Sequence, residues 1–172
     1  LDTTGLNHLF YSARLVMRPF KSLELKGEAE LAHGDFQKGD TRITAWITKT
    51  FSPRNKQYLL SGTVSFIRRT PYWYSSHFLS NYFLWDNSFD KEALLHIGFM
   101  GDLPYIHITG HYYHYSNYVY FNTDAVPEQA DKDMDVFQIR AHSPWHFRRV
   151  TLDAWGTYQY VTRTEFLRLP SL

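Results

Sequence analysis

The sequence predicts an all-β, antiparallel sandwich or barrel with at most one short helix, and three observations lead there. Aromatic residues make up 18% of the chain, and Thr, Val, Ile and Tyr dominate its ordered-looking runs, a composition that suits the pleated surface of a strand. Apolar and polar residues alternate with period two in several of those runs, which places them on opposite faces of a sheet. Turn chemistry separates the runs at short intervals, giving about ten to twelve strands, as in sandwiches and barrels.

The first strand is expected over Ser12 to Arg18. Leu23, Leu25, Gly27, Ala29 and Leu31 then alternate with Glu24, Lys26, Glu28 and Glu30, the cleanest two-faced strand in the chain. After turns at His33-Gly34-Asp35 and Lys38-Gly39-Asp40, Ile43, Ala45 and Ile47 alternate with Arg42, Thr44, Trp46 and Thr48, a strand from about Thr41 to Thr50. The proline-bearing segment Ser52 to Lys56 joins it to Gln57 to Ile67 as a hairpin. Tyr72 to Trp85 follows no single period and reads as a long loop ending in a strand near Leu79 to Trp85. Asp90 to Ile97 alone has helical character, with Asp90 as a cap, although a strand over Leu94 to Phe99 fits equally. Met100-Gly101-Asp102 is read as a turn into the aromatic stretch Leu103 to Thr123, and Asp124 to Asp135 as an acidic loop. Val136 to His142, Trp145 to Leu152, Tyr158 to Thr162 and Glu165 to Leu169 complete the strands. No internal repeat or linker is seen.

A chain of 172 residues suits one domain, residues 1 to 172. Its net charge of +1 gives no field that would draw nucleic acid or a membrane surface. Charge is uneven along the chain: residues 76 to 135 carry 2 basic and 9 acidic groups, but a sheet interleaves distant segments, so no partner follows. The absence of cysteine removes disulfides, thiolate metal sites and a cysteine nucleophile together. No apolar run approaches the roughly 20 residues of a membrane-spanning helix, no signal peptide is recognised, and no direct membrane insertion is expected. The leading leucine suggests an excised fragment or a processed product.

The stretch Leu103 to Thr123 holds seven aromatic rings, three histidines and no lysine, arginine or carboxylate. Tyrosine, asparagine and serine offer flat apolar area with a hydrogen-bonding tip, as recognition of a polar ring or of another protein requires. On a strand, Ile106, Ile108 and Gly110 share one face, expected inward, with Tyr105, His107, Thr109 and His111 outward. His107 and His111 then share a face while His114 points away, which argues against a metal triad. No metal or cofactor is expected. Nucleophilic catalysis has no Gly-x-Ser-x-Gly elbow, and no glycine loop ends in Gly-Lys-Ser/Thr to cradle phosphate. Nucleic-acid binding lacks basic residues among the aromatic platforms. Aromatic rings stack on pyranose faces while amides, hydroxyls and imidazoles read sugar hydroxyls. The candidate glycan-binding residues are therefore Tyr112, Tyr113, His114, Tyr115, Ser116 and Asn117, with Arg42 and Trp46 outlying.

Leu1-Asp2, the run Asp40 to Ile47, Gln57 to Gly62, Tyr105 to Gly110 and Phe137-Gln138-Ile139 stand in an order and spacing similar to the distal head of the rotavirus outer-capsid spike protein. The resemblance implies a galectin-like sandwich without enzymatic activity that binds host cell-surface carbohydrate, carried with the remainder of the spike on the virion outer capsid surface. It implies sugar contacts at Arg42 and at His114-Tyr115-Ser116, within a divergent group in which the usual Lys-Tyr-Tyr-Ser run lacks its lysine. A small β-barrel enzyme or carrier for an apolar molecule, and a protein-interaction module, stay open beside it.

Overall fold

The computed structural model describes residues 7–80 and 83–164. Eight long strands form one antiparallel sheet: β1 (His8–Phe20), β2 (Leu23–Gly34), β3 (Thr41–Phe51), β4 (Tyr58–Arg69), β7 (Glu92–Leu103), β8 (Ile106–Ser116), β11 (Met134–Phe147) and β12 (Val150–Val161). Each pairs with the next long strand along the chain, an up-and-down meander. Two small hairpins, β5 (His77–Leu79) with β6 (Leu84–Asp86) and β9 (Val119–Phe121) with β10 (Pro127–Gln129), lie within the connections. The only α-helix among the described residues is the single turn α1 (Trp73–Ser76). The antiparallel all-β class with at most one short helix, expected from the sequence, is the class observed.

Several boundaries differ from the expectation for identifiable reasons. The helical reading of Asp90 to Ile97 gives way to β7, because Ala93, Leu95, Ile97 and Phe99 alternate with Leu94, His96 and Gly98 along one continuous strand. Met100-Gly101-Asp102 lies inside that strand, and the turn falls at residues 104–105. Trp145 to Leu152 is not one strand: it straddles the hairpin between β11 and β12. That turn carries no glycine or asparagine. Arg148 itself adopts a positive φ of 29°, the left-handed side that two-residue hairpins need and that glycine or asparagine usually supplies. Glu165 to Leu169 lies outside the described residues.

The two ends of the sheet are unlike. At one end the strands join through residues 21–22, 52–57, 104–105 and 148–149; at the other they join through 35–40, 70–91 and 117–133. Side chains at the strand mouths hold the long connections. Asp40 Oδ1 accepts hydrogen bonds from the Thr70 amide at 2.9 Å, the Thr70 hydroxyl at 2.8 Å and the Lys91 ammonium at 2.6 Å, tying the 35–40 connection to both ends of the 70–91 connection. The buried Glu92 accepts from Arg69 Nε at 2.8 Å and from the Val119 amide at 3.0 Å. A small buried cluster of Met134, Val136 and Val161, with Tyr113, Tyr115 and Tyr118 against it, sits at the same end.

The cross-strand register sorts every side chain onto one of two faces. One row across all eight strands reads Leu15, Gly27, Ala45, Val64, Ile97, Tyr112, Phe137 and Tyr160. The next row on that face reads Met17, Leu25, Ile47, Gly62, Phe99, Gly110, Ile139 and Tyr158. Neither row holds a charged side chain, yet both are open: Leu15 is 60% exposed, Val64 49%, Phe99 53% and Tyr158 64%. Buried hydrophobic residues among those described are five: Ala32, Ala130, Met134, Val136 and Val161. An apolar surface of this extent is not what a water-soluble domain leaves uncovered.

Candidate functional site

The opposite face is largely polar, interrupted at the long-connection end by the Met134, Val136 and Val161 cluster. On β1 to β3 it carries a ladder of ion pairs: Arg14 with Glu28 at 2.8 Å, Arg18 and Lys26 with Glu24 at 2.6 and 2.8 Å, and Arg42 with Glu30 at 3.4 Å. Exposed pairs of this kind add little to stability, because water and salt screen them. Their main effect is to leave this wall balanced in charge. Between β3 and β4, hydroxyls replace charges: Thr44 and Ser65 share a hydrogen bond at 2.9 Å, as do Thr48 and Ser61 at 3.2 Å.

From β7 to β12 the same face turns to imidazoles, phenols and amides. His96 Nε2 lies 3.0 Å from His111 Nδ1. The His96 ring stacks on Tyr113 with centroids 4.6 Å apart and planes 11° from parallel, and Tyr113 is followed by Tyr115 and Tyr118 at 6.3 and 5.6 Å. Toward the short-turn end, His107 and His142 are directly opposed in register. Each stands beside a carboxylate, Asp102 at 3.7 Å and Asp153 at 3.5 Å. Asp102, His107 and His142 help to line a cavity of about 770 Å³ at that end. In the connections, burial pushes the Tyr118 phenol up from its ordinary pKa, with Glu92 adding and Arg69 opposing. Donation to the Tyr105 hydroxyl raises Lys56.

The glycan-binding candidates divide between the two faces. Arg42, Trp46, Tyr113 and Tyr115 stand on the polar face, in the rows of Glu30, Lys26, His96 and Leu94 respectively. Arg42 and Tyr115 share one row three strand spacings apart, about 14 Å. Tyr112, His114 and Ser116 alternate onto the apolar face. There Tyr112 donates to Asp135 at 2.7 Å and His114 pairs with the same carboxylate at 2.8 Å. Asn117 ends β8 in a left-handed turn, φ 56°, donating to the Lys91 carbonyl. One ligand cannot span both faces, so these eight residues do not converge. The expectation that His107 and His111 share a face while His114 points away is met. Among the described residues no group of three or more His, Cys, Asp or Glu is placed to hold a metal ion.

Sequence reasoning missed the polar face as a unit. Its signal was present in the alternation of Glu24, Lys26, Glu28 and Glu30 and of Arg42, Thr44, Trp46 and Thr48, read strand by strand as the solvated side. Only the register joins those residues to His96, His111, Gln138 and Gln159 on strands far along the sequence.

Fold and faces together define a class: an antiparallel β-meander, apolar on one side and polar on the other, with short turns at one end and long connections at the other. The chain belongs to the family described as "Putative porin", whose model matches residues 3–172. No curated protein and no solved structure matches it. No helix among the described residues is long and apolar enough to cross a membrane; a β-barrel crosses with strands, each backbone group paired to a neighbour.

Proposed function

We propose that this sheet is a wall of a membrane-embedded β-barrel, with its apolar face in lipid and its polar face on a water-filled lumen that passes small hydrophilic solutes. The observation that carries the reading is the pair of uncharged, exposed rows running across all eight strands, backed by a largely polar face. In water that face would cost free energy at every residue; in a bilayer it is what the solvent requires.

Three further features support it. The long strands have 11 to 14 residues, enough to cross a hydrocarbon core that needs about 9–11 residues per tilted strand. Short turns at one end and long connections at the other match the asymmetry of outer-membrane-type barrels. Aromatic residues stand at both ends of the apolar face, with Phe51, Trp145 and Phe147 toward the short turns and Tyr11 and Tyr160 toward the long connections, where girdles meet the two membrane interfaces.

Barrel width follows from the edges. Among the described residues, β1 and β12 each pair on one side only, and an unpaired strand edge cannot face hydrocarbon. A closed barrel of eight strands fills its interior with side chains, whereas Arg14, Arg140, Thr157 and Gln159 on the polar face are exposed. The barrel therefore has more strands than these eight and an aqueous lumen. As an attachment head in water, the same sheet would leave two apolar rows uncovered, which is why the wall reading is preferred to the glycan-binding head and replaces the expectation of no membrane insertion.

The cysteine-free chain makes a direct test simple. Single-cysteine variants Val64→Cys and Ile139→Cys on one face, and Thr63→Cys and Gln138→Cys on the other, are placed in vesicles. A water-soluble maleimide is expected to label only the second pair and to reduce ion conductance through those variants. Equal labelling of both faces, or a protein that conducts no ions, would sink the proposal.

A further inference from the structure

We propose that His96 and His111 form a two-imidazole site for a divalent transition-metal ion, of the copper(II) and nickel(II) kind, on the polar face of the sheet. The two nitrogens lie 3.0 Å apart. With each about 2.0–2.1 Å from a bound ion, that separation gives an N–metal–N angle of roughly 95°. Such an angle is the cis angle of a tetragonal site and falls short of the tetrahedral angle zinc prefers. Water or small carried ligands fill the remaining positions.

The site is built rather than incidental. Gly98 lies directly beneath the pair, and a Cβ there would stand 3.1 Å from His111 Nδ1 and 3.2 Å from His96 Nε2, so the glycine leaves the imidazoles their space. Tyr113 stacks against His96 and fixes the plane of its ring. From β4 to β12 the two rows framing the pair read Thr63, Gly98, His111, Gln138 and Gln159, then Ser65, His96, Tyr113, Val136 and Val161. No lysine or arginine among them repels a cation. Without metal, one ring donates its N–H to the other. Binding needs only that this ring carry its proton on its far nitrogen instead, a change of tautomer that releases no proton.

Four residues along β8, about 13 Å, lies His107, opposed by His142 and flanked by Asp102 and Asp153. His146 stands beyond them on β11. Five of the nine histidines thus share the polar face of three adjoining strands. Such a path suits an ion that is bound and released in steps. The site itself rests on local geometry alone; its role in passing metal rests on the wall reading.

The test is a copper(II) titration of the untagged protein in detergent, followed by electron paramagnetic resonance, with conductance measured in planar bilayers. One copper bound through two nitrogens is expected. Its affinity should fall at least tenfold in His96→Gln and in His111→Gln, and stay unchanged in His77→Gln, with the circular dichroism of all variants unaltered. Micromolar copper should lower conductance, and a chelator should restore it. Absence of nitrogen-bound copper, or binding unaffected by both His96→Gln and His111→Gln, overturns the site. Binding that leaves conductance untouched upholds the site and overturns its place in a lumen.

Discussion

Glycine 110 shows how the apolar face is packed at the scale of one residue. The Phe99 ring, on the neighbouring strand and directly opposite, lies over its Cα so closely that a Cβ has no room. An aromatic ring covering a cross-strand glycine shields backbone that would otherwise face the surroundings bare. Gly110→Ala must push that ring aside, and overpacking of this kind costs about 1–3 kcal/mol. Gly27, with nothing within contact distance of its would-be Cβ, is the control. Unfolding in denaturant with detergent present should show a lower midpoint for Gly110→Ala and little change or a gain for Gly27→Ala; equal midpoints would remove the covering role of Phe99. None of this was legible in the sequence, where Gly110 read only as an inward-facing strand position beside Ile106 and Ile108.

On the proposed wall reading, individual strands carry the distinction between lipid and water. Thr63 and Val64 are neighbours on β4, and Ile97 and Gly98 on β7, yet within each pair the residues occupy opposite faces. A cationic side chain facing lipid near the bilayer midplane costs about 2–4 kcal/mol. Ile97→Arg is accordingly expected to lose that much stability in vesicles, whereas Thr63→Arg, on the aqueous side, should stay within about 0.5 kcal/mol of the parent. A folding titration in vesicles measures both, and equal losses would mean that the faces are not differently solvated. The strands themselves were well marked: β2 and β3 begin at Leu23 and Thr41, as their alternation predicts. The hairpin at 148–149 was hidden because Arg148 does the work usually signalled by glycine. β7 was ambiguous because a short apolar run fits a buried helix or a strand equally well.

At the scale of the whole molecule, the proposed wall makes orientation in a membrane follow from tryptophan placement. Trp145 stands on the apolar face, whereas Trp46 and Trp155 stand on the polar one. In variants retaining one tryptophan each, brominated lipid is expected to quench Trp145 strongly and the other two weakly. The reverse ranking would turn the sheet inside out. In the proposed barrel the long connections tied by Asp40 and Glu92 would lie at one end, and the Asp102, His107 and His142 cavity at the other.

The sequence by itself determined that this chain is antiparallel β, that its strands have one apolar and one polar side, and that His107 and His111 part company with His114. Local steric preference and period-two alternation fix those properties within a few residues of chain. The tertiary structure alone decided which residues of different strands share each side, because an alternating strand reads identically whichever way its sheet faces. It also decided which polar residues meet: the nitrogens of His96 and His111 sit 3.0 Å apart only because β7 and β8 pair in one register, and a slip of one residue would place them on opposite faces.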